Sequence, residues 1–65
     1  MKVKYFVETD TLYIEFRAGT VAETRELDEN TLLDLDEAGS IVAMTVEHAS
    51  TRTGIPEFSY EQVAA

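Results

Sequence analysis

The sequence predicts a mainly β (α+β) domain: a five-stranded antiparallel β-meander followed by a short C-terminal helix. Three observations lead there. Apolar residues recur with a period of two through most of the first 49 residues. The alternating runs are rich in aromatic and β-branched side chains, which suit a pleated, half-buried surface. Polar or glycine-containing turns interrupt them at short intervals. Nothing in this part of the chain has helical spacing. Sixty-five residues make one domain, 1–65, with the meander over 1–49 and the tail over 50–65.

Each strand has its own justification. Val3, Tyr5 and Val7 alternate with Lys2, Lys4 and Phe6, and Leu12, Ile14 and Phe16 alternate with Tyr13, Glu15 and Arg17. Between these two strands Glu8-Thr9-Asp10-Thr11 forms a short polar hairpin loop. Gly19 marks the next turn. Val21 to Leu27 is a third strand with few large apolar residues, which suits a sheet edge, and its Glu23, Arg25 and Glu26 discourage pairing with another edge. Asp28-Glu29-Asn30 turns, with Asn30 suited to a left-handed conformation. Thr31 to Asp36 is the fourth strand, with Leu33 and Leu35 on one face. Ile41 to Ala49 is the fifth, with a row of Val42, Met44 and Val46 on one side and Ala43, Thr45 and Glu47 on the other.

The stretch Asp34-Leu35-Asp36-Glu37-Ala38-Gly39-Ser40 has two readings, a calcium loop or a hairpin. A calcium loop starting at Asp34 needs oxygen ligands at its fifth and twelfth positions, where the chain has Ala38 and Thr45. The hairpin reading accounts for every residue: Asp36-Glu37-Ala38 turns, and Gly39 supplies the positive φ that rejoins the ladder through a bulge. The stretch reads as architecture.

The tail changes character. Ser50 is placed to cap one helical turn that Gly54 ends. Ile55-Pro56 reads as extended, because proline disfavours helical geometry in the residue before it. Ser59 and Gln62 form a capping-box spacing, predicting a helix over 60–65 that is too short to stand without docking. Phe58, Tyr60 and Val63 are therefore expected to pack on the sheet or on a second subunit.

Charge narrows the partners. Thirteen acidic residues against five basic ones give a net charge of -8, and between Ala18 and Ser50 the one Lys or Arg is Arg25. Such a chain repels phosphate backbones, so no nucleic-acid binding is expected, whereas a basic protein partner is electrostatically favoured. Residues 1–17 contain no continuous apolar run, which argues against a signal peptide and a membrane span. With no cysteine, disulfides and thiolate metal sites are excluded, and a reducing cytoplasm is the expected setting. A chain of this length buries only about 60% of its unfolded surface, and oligomerisation is the remaining means of reinforcing it.

Chemistry is sparse. His48 is the one histidine, and at the end of the row of Val42, Met44 and Val46 it reads as structural rather than catalytic. Asp34 and Asp36 lie two apart on one strand, about 7 Å along its axis, and could act as acid and base only inside a cleft. No catalytic residue, metal ligand or cofactor is assigned. The candidate interaction face is Val42, Met44, Val46, Phe58, Tyr60 and Val63.

The order of motifs resembles the domain of unknown function family 2283. The resemblance rests on "YFVETDTLYIEF" followed by "VAETRELDENTLLDLDEAGSIVAMTVEHAS". Tyr5, Asp10, Leu12, Tyr13, Ile14, Val21, Thr24, Asp34, Gly39, Val42 and the Ala49-Ser50 pair fit the pattern, over residues 1–50. Thr11 and Ala43-Met44-Thr45 depart from it, and the tail lies outside it. The resemblance implies a small β-rich fold with no established activity, and an antitoxin-like role towards basic ribonuclease-type proteins. The expectation is therefore a protein-interaction module, self-associating as a homodimer or neutralising a basic partner. The alternative is a small ligand-binding protein or enzyme using His48 and nearby carboxylates.

Overall fold

The computed structural model describes residues 1–54 and 57–64. Five strands form one sheet: β1 (Lys2–Phe6), β2 (Thr11–Glu15), β3 (Glu23–Asp28), β4 (Thr31–Leu35) and β5 (Ile41–Val46), followed by helix α1 (Ala49–Thr53). Every neighbouring pair is antiparallel. The five-stranded antiparallel sheet is thus as the periodicity predicts, and the short helix after it falls on the turn ended by Gly54, with His48 rather than Ser50 as its N-cap.

The connectivity is different. Strand order is β1-β2-β5-β4-β3, so the sheet is not a meander. Strands β3, β4 and β5 follow one another through hairpins, and β2 reaches β5's free side by a long connection, which is a Greek key. Periodicity specifies which residues of a strand share a face but not which strands are neighbours. The connection, residues 16–22, must pass three inter-strand spacings, about 14 Å, well within the reach of seven residues. β3 lies at the edge, as its composition predicts, and all six of its residues are exposed.

Register sorts the side chains into two faces. Opposed residues of an antiparallel ladder share a face, so Val3, Ile14, Met44 and Leu33 form one continuous row, and Tyr5, Leu12, Val46 and Thr31 form the next. These rows define the inner face. The outer face carries Lys4, Tyr13, Thr45 and Leu32 in one row and Lys2, Glu15, Ala43 and Asp34 in another. Ala43, in the middle of the outer face, is fully buried between Glu15 and Asp34.

Two covers close the ends of the inner face. At one end the 16–22 connection lies over Val42, which is 3% exposed, and beside Leu35, which is 5% exposed. A methyl group at Gly19 would sit 3.5 Å from Val42 Cγ2, an ordinary packing distance. The Val42 carbonyl sits at a bulge opposite Leu35 and accepts hydrogen bonds from the Phe16 and Arg17 amides, at 2.8 and 3.5 Å. At the other end lies α1, whose Ala49 is fully buried.

The 34–40 stretch is a hairpin. The Asp36 carboxylate accepts from the amides of Ala38 and Ser40, at 3.0 and 2.9 Å, and the Gly39 amide donates back to the Asp36 carbonyl at 3.0 Å. Gly39 has φ +83, as the turn requires, and a Cβ there would meet nothing within 4 Å. Strain alone therefore sets the cost of substitution. Gly39→Val is expected to lower the unfolding free energy by about 1–3 kcal/mol, read from the urea midpoint.

Four local expectations are corrected. Asn30 is not left-handed; among the described non-glycine residues Asp10 and His48 are, both with φ 54. Strand β5 ends at Val46, so His48 stands outside the row of Val42, Met44 and Val46. Asp36 lies beyond β4, so it does not share a strand face with Asp34. Residues 60–64 have no regular structure, since a capping-box pattern with one turn to follow lacks the length to nucleate, while Ala65 falls outside the described residues, as does the extended reading of Ile55-Pro56.

Candidate interaction face

The two covers leave the middle of the inner face unprotected. Ile14, Met44 and Leu33 lie side by side across β2, β5 and β4, each only half-buried, with Val3 continuing the row onto β1. Among the described residues no large side chain is fully buried anywhere. The sheet is a single layer whose best apolar row still faces water.

Of the residues expected to form an interaction face, Val42 is core beneath the 16–22 connection, whereas Met44 and Val46 are half-buried on the inner face. Phe58, Tyr60 and Val63 are 61%, 71% and 75% exposed. Phe58 and Tyr60 line a shallow groove with Met1 and Val3, which brings the tail to the β1 side of the sheet. Ile14 and Leu33 complete the row. Ile14 and Leu33 had visible alternation in the sequence, but only the β2-β5-β4 adjacency places them beside Met44.

The position of α1 rests on two carboxylates, one at the β1–β2 turn and one beside the β3–β4 turn. Asp10, at the β1–β2 tip, accepts from Tyr5 Oη at 2.6 Å, from the Ser50 amide at 3.0 Å and from Ser50 Oγ at 2.7 Å. Its carbonyl accepts from the Ala49 amide at 2.9 Å. His48 is the N-cap residue but makes no side-chain cap, so Asp10 takes over that duty from forty residues away. Asp28, next to the β3–β4 turn, receives both terminal nitrogens of Arg52 at 3.1 Å, and Arg52 also donates to Thr31 Oγ1 at 2.9 Å. The helix is strapped across the end of the sheet.

These contacts set the local electrostatics. The Tyr5 hydroxyl, then Ser50, hold the Asp10 carboxyl below the usual carboxylate range, and Asp10 in turn raises Tyr5. The Arg52 guanidinium, then the Asn30 amide, lower Asp28 to about 2. The Ser40 amide and Arg17, which is ion-paired with Asp36, lower Asp36.

Tyr5, Asp10, His48 and Ser50 do converge, which sequence spacing concealed. Their bonding is that of a helix cap: Ser50 gives its hydroxyl to Asp10, and a carboxylate stabilised in its charged form is a poor base near neutrality. Asp34 accepts from Thr24 Oγ1 at 2.7 Å on the outer face, in the cross-strand pair the register sets. Among the described residues no three His, Asp or Glu side chains cluster so as to hold a metal ion, and no helix is long and apolar enough to cross a membrane.

The fold and these contacts define a class: a small Greek-key sheet, open on its inner face, whose terminal helix is tied to the β1–β2 and β3–β4 hairpins. The chain belongs to the family described as protein of unknown function (DUF2283), whose model matches residues 2–50. That match takes in the sheet and the Ala49-Ser50 pair held by Asp10, and it stops short of Arg52 and the tail. No curated protein and no solved structure matches the chain.

Proposed function

We propose that this chain is a small acidic protein-interaction module that works as a homodimer, with the row Val3, Ile14, Met44 and Leu33 docked against a second copy. One observation carries the reading. The best apolar row of the sheet stays half-exposed between two covers, in a chain where no large described side chain is fully buried. A second copy supplies the missing layer without further sequence, and two-fold pairing is the commonest way a short soluble chain closes such a face.

The net charge of -8 supports a basic protein as the further partner. The family resemblance adds the proposal of an antitoxin-like role towards a ribonuclease-type protein in the cytoplasm. Charge of one sign also opposes self-association, so the dimer tightens as salt screens it. Sedimentation velocity at micromolar concentration is expected to show a dimer whose dissociation constant falls between 50 and 500 mM salt (roughly a threefold change in Debye length). A well-folded monomer at every concentration and salt would refute the reading.

A further inference from the structure

We infer that residues 57–61 of one copy add to the free edge of β1 in the other as a sixth, antiparallel strand, so that two tails are exchanged across the dimer. The inference rests on the proposed self-association and specifies how it is built.

The first support is an unfilled edge. Among the described residues β1 pairs with β2 alone, leaving the backbone groups of its other side without a ladder. The second is pattern. Glu57-Phe58-Ser59-Tyr60-Glu61 alternates polar and apolar side chains with a period of two, as Lys2-Val3-Lys4-Tyr5 does. Pairing Tyr60 with Val3 and Phe58 with Tyr5 puts both aromatic rings on the inner face, where the apolar row begins. The same register sets Glu61 opposite Lys2 on the outer face and Glu57 diagonal to Lys4. Shifting it by one residue would turn the aromatic rings outward and set the carboxylates beside Val3 and Tyr5. Lysines therefore mark the edge that carboxylates can join, whereas the other edge, β3, sets Glu23, Glu26 and Asp28 against a single Arg25 and, net acidic, disfavours the same segment.

The third support is position. Within one chain the segment already comes to Met1 and Val3, the end of β1 where this pairing would start. It makes no backbone hydrogen bond there, and Phe58 and Tyr60 remain mostly exposed. Exchange between two copies frees the segment from the path imposed by its own α1. It also covers two edges and two apolar rows at a single two-fold interface, in the strand-addition mode of recognition.

The absence of cysteine makes the test direct. Chains carrying Val3→Cys are mixed with isotope-labelled chains carrying Tyr60→Cys and oxidised mildly. The expected product is a disulfide-linked pair containing one chain of each kind. Glu57→Lys with Glu61→Lys in the Tyr60→Cys chain should cut its yield at least fivefold, and Lys2→Glu with Lys4→Glu in the Val3→Cys chain should restore it. A chain with both cysteines that closes only on itself would show that the tail stays with its own sheet and would overturn the exchange. A dimer undiminished after removal of residues 54–65 would also overturn the exchange while leaving self-association standing. A monomeric full-length chain would sink both.

Discussion

Met44→Glu is expected to abolish the dimer while leaving the sheet folded. Met44 lies at the centre of the exposed row, between Ile14 on β2 and Leu33 on β4. In a single chain its side chain is half in water, so a carboxylate there can remain solvated and the fold tolerates it. In the face-to-face dimer the same carboxylate would lie near its symmetry mate with no cation at hand. The nearest cation in that row is Arg25, opposite Leu33 on β3, where Glu23 engages it. Burying an unpaired charge costs several kcal/mol, so association should weaken at least a hundredfold, about 3 kcal/mol. Sedimentation reports the association and circular dichroism the fold. Met44→Leu, which keeps the volume and the apolar surface, should dimerise as the parent chain does. A Met44→Glu chain that still dimerises at micromolar concentration would place the interface elsewhere.

The second effect is a loss of stability in acid, which for the Asp28–Arg52 contact should run from about pH 4 down to about pH 2. Three aspartates with depressed carboxyls hold the architecture: Asp10 and Asp28 fix α1, and Asp36 fixes the β4–β5 hairpin. Each is more acidic in the folded chain than in the unfolded one, whose carboxyls titrate near 3.9. The stabilisation they give is therefore fully present above that value and is lost as pH falls through their folded values. For Asp28 the window runs from about 4 down to about 2. Asp28→Asn should remove part of this dependence and flatten the stability curve below pH 4, since the amide no longer titrates. If the variant kept the parent's full acid slope, Arg52–Asp28 would contribute nothing to holding the helix.

Period-two alternation made the strands legible because each has one face towards apolar neighbours and one towards water. Edge placement of β3 was legible from its charges, and Gly39 from the turn chemistry around it. Strand order was not, because the residues that choose it act at long range. Val42 draws the 16–22 connection over the sheet by accepting two amides at a bulge, and nothing local to Val42 announces that. The straps on α1 were hidden for the same reason. Tyr5, Asp10 and Ser50 could be matched to a family pattern, yet the Asp10–Ser50 contact spans forty residues and joins a turn to a helix. Phe58, Tyr60 and Val63 were legible as apolar side chains in need of cover. Their capping-box spacing suits a helix, whereas the alternation over 57–61 suits a strand.

The strand order has a consequence for synthesis. A growing chain first produces β1–β2 and then β3–β4, two separate hairpins with no ladder between them, and an isolated hairpin is at best marginally stable in water. The strand that joins them, β5, is translated last of the five and must slide between two existing edges rather than extend one. Until residues 41–46 emerge, four strand edges stand open at once, and neither hairpin has the apolar row that β5 brings. A chain that stops shortly before Ile41 therefore lacks the strand that unites the two halves, and the five-stranded sheet cannot close until β5 is present.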